Sequence, residues 1–386
     1  MKHLLIFLIP ILQSCNGQDQ QTSKLVGGGC DGCELMYIGM PGKIKNTDTS
    51  AGWTEPGQKL LVTGIILKPD RRTPAPNVIL YYWQTDNNGY YSPAPRLDDR
   101  AKQHGHLRGW VKTDQDGKYN IYTVRPAPYP KRNIPAHIHL SIKEPQLANE
   151  YYTDEINFDD DKLLLPHFKK YPQEKRGGSG IVRVFKKDSL QIAEHNIILG
   201  LNIPDYPAQR VLQTDRSGLN IGEDQPSFTP FHAYGPDKGS RVCPVCKYGR
   251  YHGVIYYVGN QPNWTATKEW LKFLERESVI RAEYLKVYFV YGNSESYSKA
   301  VRTKFLENLG RDLELKNTAL TFVPSMDDKD SEIDRNKINP LVTNTFVIYK
   351  NSNIIDKYID LKPTPENFSL LRRVLDKTRG EYFSLD

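Results

Sequence analysis

His137 and His139 stand one residue apart in Pro135-Ala136-His137-Ile138-His139, and that spacing decides the local backbone. Alternate side chains of an extended strand leave the same face, so two imidazoles can reach one ion at this spacing only from a strand, not from a helix. The stretch begins at Tyr129, and Tyr91 lies upstream; together they bring two phenols to the two imidazoles. A phenolate is a hard anionic donor suited to a hard, highly charged cation, while imidazole binds transition metals broadly. The set therefore favours Fe(III) over zinc or calcium. Taken alone, a His-x-His strand would serve equally well as a solvated face or as a satisfied pair of core histidines.

The surrounding sequence separates these readings. Leu80-Tyr81-Tyr82-Trp83-Gln84 leads into Asn87-Asn88-Gly89-Tyr90-Tyr91; Thr113 to Tyr119 follows, then Tyr129-Pro130, then Pro135 to His139. This ordered series resembles the intradiol ring-cleaving dioxygenases, most closely the beta subunit of protocatechuate 3,4-dioxygenase and its exported bacterial relatives. The resemblance runs from about Cys30 to about Tyr206. It implies a β-sandwich with Fe(III) held by Tyr91, Tyr129, His137 and His139, and a catecholic substrate opened by O2 between its two hydroxylated carbons to a muconate-type diacid. It also implies that Tyr129 is the ligand that leaves the metal and takes a substrate proton. One position departs from the pattern: the family arginine directly before Pro-Ala-His-x-His is Ile134 here. Arg132, two residues earlier, is the candidate catalytic residue in its place.

Between Lys59 and Leu201 the apolar pattern has period two and is broken by Gly, Pro, Asn and Asp. It predicts strands at Leu60–Leu67, Val78–Gln84, Gly109–Thr113, Lys118–Val124, His137–Ile142, Ile181–Phe185 and Asn196–Leu201, hence a mainly β chain with an antiparallel β-sandwich over 30–206. Asp114 to Gly117 reads as a turn, and His104 and His106 as a polar, solvent-exposed loop at the rim of the site. A linker is expected over 207–238 and an α/β domain over 239–386, where Gly253–Val258, Lys286–Tyr291 and Thr345–Tyr349 read as strands and Thr265–Ser278 and Pro365–Lys377 as helices. The stretch Asn344 to Ile354 resembles the last hairpin of thioredoxin-like domains. Cys243-Pro244-Val245-Cys246, however, precedes the strand that a thioredoxin pair would follow, so a structural disulfide is expected there rather than reactive thiols.

Lys2 and His3 precede an apolar run, Leu4 to Leu12, that is too short to span a bilayer and is polarised like a signal peptide. It ends in Leu12-Gln13-Ser14-Cys15, which resembles a bacterial lipobox. The expectation is a signal peptide over 1–14, an acylated Cys15, a tether over 15–29, and a lipoprotein anchored to a membrane in the bacterial periplasm or at the cell surface. The remaining cysteines form two Cys-x-x-Cys pairs, Cys30/Cys33 and Cys243/Cys246. Disulfides suit an exported chain, and a four-thiolate zinc site is the other arrangement they allow. With 52 Lys and Arg against 45 Asp and Glu spread along 386 residues and no basic block, nucleic acid is not expected as a partner. An oligomer is compatible with the sequence. Two other functional classes stay open: a thiol-disulfide lipoprotein whose sandwich only binds ligand, and a binding module.

Overall fold

Strand β6, His137–Lys143, shows how alternation places the site. Ile138, Leu140 and Ile142 are fully buried in the core between the two sheets of the N-terminal half, where they meet Leu60, Val62, Leu80, Tyr82, Ile121 and Ile156. The period of two therefore drives His137 and His139 to the opposite, outer face of their sheet. Truncating one of these isoleucines would cost about 2–5 kcal/mol, so the register that turns the histidines to the outer face is set by the core behind them.

The computed structural model describes residues 25–379 except 31, 96, 208–215 and 296. The expected signal peptide, Cys15 and most of the tether lie outside the described residues. One sheet contains β1 (Thr47–Thr49), β5 (Lys118–Val124), β2 (Lys59–Leu67), β10 (Leu190–Glu194) and β9 (Val184–Lys187) in that order, with β11 (Ile197–Ile198) also beside β2. The facing sheet runs β4 (Arg108–Lys112), β3 (Ile79–Gln84), β6, β7 (Tyr151–Phe158) and β8 (Ile181–Val182), with the short helix α1 (Leu164–Lys170) between β7 and β8 in the chain. The pairings around the site are antiparallel: β4 with β3, β3 with β6, and β6 with β7. The expectation of a wholly antiparallel sandwich is corrected, since β1–β5, β10–β2, β11–β2 and β7–β8 are parallel. The segment expected as one strand over 181–185 divides between the two sheets, because Arg183 interrupts the run between β8 and β9.

In the second half, β13 (His252–Val258), β14 (Leu285–Gly292) and β15 (Thr318–Val323) are parallel neighbours, flanked by the antiparallel hairpin β16 (Thr345–Lys350) and β17 (Asn353–Ile359). Every residue of β13, β15 and β16 is buried. Their nearly continuous apolar sequences follow from cover on both faces. Helices α3 (Trp264–Ile280), α4 (Lys299–Asp312) and α5 (Pro365–Arg379) supply Trp270, Phe273, Leu306, Leu309, Leu371 and Leu375 to one face. The other face meets Ile221, Phe228 and Val245, together with Ile198 and Leu201 from the sandwich. The expected linker is therefore corrected in its described part: Ile221 and Phe228 are core residues, and β12 (Phe231–Tyr234) pairs with β15 at the sheet edge. These apolar side chains are too widely spaced for a strand or helix period, which is why the stretch reads as loop. Among the described residues no helix is long and apolar enough to cross a membrane.

Cys30 is bonded to Cys33 and Cys243 to Cys246. Cys243 caps the short helix α2 (Pro244–Tyr248), its sulfur accepting from the Cys246 amide at 3.0 Å. These pairings use all four sulfurs and leave no thiolate set for zinc.

Candidate metal centre

Tyr91 arrives through the turn that follows β3. Asp86 organises it: its carboxylate accepts from the Asn88 amide at 2.8 Å, the Tyr90 amide at 3.1 Å and the Ser92 hydroxyl at 2.6 Å. Burial opposes the charge on Asp86, but the bonds from Ser92 and from the Tyr90, Asn88 and Gly89 amides hold its pKa below the usual carboxylate value. Gly89 has φ +87°, and a Cβ there would overlap the Pro128 carbonyl oxygen, so this glycine lets the turn close onto the loop that carries Tyr129. The Thr85 hydroxyl donates to Ala127 O at 2.8 Å, and the Ala127 amide donates to Asp86 O at 3.0 Å, tying the two loops together. Past Tyr129, the Ala136 amide donates to the Asp161 carboxylate at 2.7 Å just before β6 begins.

The four residues named from the sequence converge. Tyr91 Oη lies 2.6 Å from Tyr129 Oη and 2.9 Å from His139 Nε2. Tyr129 Oη is 3.1 Å from His137 Nε2 and 3.4 Å from His139 Nε2, and the two Nε2 atoms are 3.1 Å apart. Donors bound at about 2.0–2.1 Å in a roughly tetrahedral array stand about 3.3 Å from one another, so the spacing suits one shared cation. His137 Nδ1 lies 2.7 Å from Pro135 O; a carbonyl only accepts, so Nδ1 carries the proton and Nε2 offers its lone pair to the cluster. Burial, with His137 and His104 adding, pushes the His139 pKa well below its ordinary value and keeps that ring neutral. Burial likewise raises Tyr91, reinforced by Tyr129 and Glu155, and raises Tyr129. The phenols therefore ionise only with a cation to compensate. Among the described residues no group of three or more His, Cys, Asp or Glu could hold a metal; this donor set depends on its tyrosines.

Other expectations around the site change. His104 is buried at the end of a 3-10 helix, Asp99–His104, and not on a solvated loop. Its Nδ1 is 2.8 Å from Tyr81 Oη, and its ring stacks on Trp83 at 4.2 Å, which in turn stacks on His139 at 4.9 Å. Burial, and then the charge of Arg108, push its pKa down to about 4. His106 is half-buried between Ser92 O and the Glu55 carboxylate. The reason is Gly105, at φ +64°, where a Cβ would press within 2.9 Å of Tyr91 Cα and hold the two loops apart. Arg132 is exposed, with its guanidinium 6.0 Å from the centre of the Tyr129 ring, and Ile134 is half-buried. Sequence reasoning missed Asp86, Asp161 and Trp83 as supports. Trp83 sits directly opposite His139 across the β3–β6 ladder, a relation visible only once the strands are paired.

A sandwich whose outer face gathers two tyrosines and two strand histidines defines a class of protein. Residues 37–176 match the family model Dioxygenase_C, described as dioxygenase. Among curated relatives, the catechol 1,2-dioxygenase 2 of Acinetobacter lwoffii is 29% identical over 131 residues, covering 30% of this chain and 45% of the relative. The protocatechuate 3,4-dioxygenase beta chain of Burkholderia cepacia is 28% identical over 152 residues, covering 37% of this chain and 62% of the relative. The chain thus spans about half the length of the curated relatives it matches. Among solved structures, an intradiol ring-cleavage dioxygenase from Tetranychus urticae is 19% identical with a TM-score of 0.30, covering 45% of this chain and 92% of that one.

Proposed function

We propose that this protein is a non-haem Fe(III) intradiol dioxygenase that cleaves a catecholic ring between its hydroxylated carbons with O2 to give a muconate-type diacid. The observation that carries this is the convergence of the Tyr91, Tyr129, His137 and His139 donor atoms to within 2.6–3.4 Å of one another. Ferric iron held there would supply the Lewis acidity and electron-accepting character that open a catecholate to dioxygen. The protein's part is positional and acid–base. Tyr129 would hold the metal as a phenolate and would be the group that takes up a substrate hydroxyl proton at Oη, since burial raises its pKa. His137, fixed by the Pro135 carbonyl, and His139, backed by the Trp83 ring, hold the remaining geometry. The charge of Arg132, whose guanidinium lies 6.0 Å from the centre of the Tyr129 ring, opposes the rise in the Tyr129 pKa that burial drives.

The visible spectrum tests this. Tyrosinate-to-Fe(III) charge transfer should colour the purified protein burgundy, and anaerobic catechol should shift the band. Tyr91→Phe and Tyr129→Phe, each removing one phenolate, should shift or abolish it; an unchanged spectrum in both variants would sink the proposed site.

The α/β half, with its terminal hairpin and α5, is read as a thioredoxin-like scaffold whose Cys243–Cys246 bond is structural. Cys15 completes the proposal as an acylated N-terminus that anchors an extracytoplasmic lipoprotein. Membrane partitioning should be lost in Cys15→Ala, and a variant still fractionating with membranes would refute the anchor.

A further inference from the structure

The ladder between β6 and β7 breaks beside one of the four donors. Ile138 pairs with Ile156 and Leu140 with Thr153, so His139 alone on β6 faces both Asp154 and Glu155 on β7. An extra residue of this kind rephases the side chains beyond it. Tyr152 and Glu155 are three residues apart and would leave opposite faces of a regular strand; across the bulge both reach the same imidazole. Tyr152 Oη is 2.9 Å from His139 Nδ1, and Glu155 Oε1 is 3.7 Å from the same nitrogen. The Glu155 carboxylate therefore stands beside the Nδ1 edge of the ring that Tyr152 meets. The carboxylate sets the tautomer. It only accepts, and its negative charge beside Nδ1 favours a proton on that nitrogen, so Nδ1–H donates to Tyr152 Oη. The proton on Nδ1 leaves the Nε2 lone pair facing Tyr91 Oη at 2.9 Å and His137 Nε2 at 3.1 Å.

We propose that Tyr152 and Glu155 are positioning residues: delivered by the β7 bulge, they hold His139 in the Nδ1–H tautomer and aim its Nε2 at the metal. Pro135 O does the same for His137 through the backbone, whereas His139 depends on two replaceable side chains. The consequence for iron binding rests on the metal-centre reading above, while the tautomer is a property of the metal-free chain. The two are therefore measured separately.

In the metal-free full chain, nitrogen-15 histidine spectra should show His139 as a single Nδ1–H tautomer, converted to a mixture in Tyr152→Phe. Anaerobic titration with Fe(II) against a competing chelator should show affinity reduced roughly 10–100-fold in that variant, the usual consequence of losing an outer partner of a ligating histidine. Glu155→Gln keeps the size of the side chain at a partly exposed site but lets its amide donate as well as accept. It should shift tautomer and affinity in the same direction, by less, and it decides the matter if Tyr152→Phe fails to fold. A wild-type tautomer in the folded variants overturns the proposal, as does a changed tautomer with undiminished iron affinity. If the tautomer shifts as expected but the wild-type protein takes up no Fe(II), the positioning relay stands and the metal-centre reading is the one that fails.

Discussion

Ile134 occupies the place where the resembling family carries an arginine, and its consequence is local and electrostatic. An apolar side chain cannot pair with negative charge that develops on a substrate, and loss of one charge-assisted contact costs about 2–4 kcal/mol of transition-state stabilisation. Arg132 is exposed and 6.0 Å from the Tyr129 ring centre, a position from which its long side chain can swing inward without disturbing the core. Oxygen uptake with catechol or protocatechuate distinguishes the two cases. If Arg132 stays in solvent, Ile134→Arg should raise kcat/KM by about 10-fold or more while Arg132→Ala changes it little. If Arg132 substitutes for the missing group, Arg132→Ala should lower kcat/KM by a comparable factor. Efficient wild-type turnover with neither variant having any effect would show that the position has no catalytic weight.

At the scale of elements, β13 and α5 are joined through a buried titratable group. His252, the first residue of β13, is fully buried with Nε2 3.0 Å from the Thr378 hydroxyl of α5. Burial, then the charges of Lys350 and Arg281, push its pKa from 6.5 down to about 3. The folded state thus binds fewer protons than the unfolded state between these values. The neutral ring carries no penalty above pH 6.5, and stability is lost as pH falls below 6.5 toward 3. The loss from this one group at pH 5 should be about 2 kcal/mol. Urea unfolding at pH 7 and pH 5 checks this: His252→Gln should lose about that much less than the wild type on acidification, and equal losses in both would refute the assignment.

The whole molecule is held together by side chains that neither half could justify alone. Ile198 and Leu201 of the sandwich sit in the same buried cluster as Tyr257, Tyr288 and Val347 of the α/β half. Beside them the Lys350 ammonium meets the Glu194 carboxylate at 2.8 Å, with the lysine side chain only 6% exposed. A pair this dry contributes little net stability, but breaking it leaves a buried charge uncompensated. Lys350→Met alone should destabilise the protein by about 2–4 kcal/mol, and the double variant Lys350→Met/Glu194→Leu should recover most of that loss. Thermal unfolding of the single and double variants provides the measurement; additive losses would show that the pair is not coupled.

The sequence by itself determined the local grammar. Alternation made β6 a strand with Ile138 and Leu140 on one face and His137 and His139 on the other, and Asp114 to Gly117 marked a turn between strands, because these are properties of neighbouring residues; Tyr91 and Tyr129 were placed by the ordered motifs of the resemblance. It likewise marked β13, β14, β16, α3 and α5, whose apolar runs are long enough to declare their period. Only the tertiary structure decided what depends on pairing. Trp83 backs His139 because β3 lies beside β6, and Tyr152 and Glu155 share one imidazole because β7 carries an extra residue at that level of the ladder. His104 is buried because its loop folds back under Gly105 onto Trp83, although its own sequence is polar. Strand neighbours, bulges and loop cover are long-range choices made by the sheet as a whole, and a side chain's role behind a ligand follows from them and not from its place in the chain.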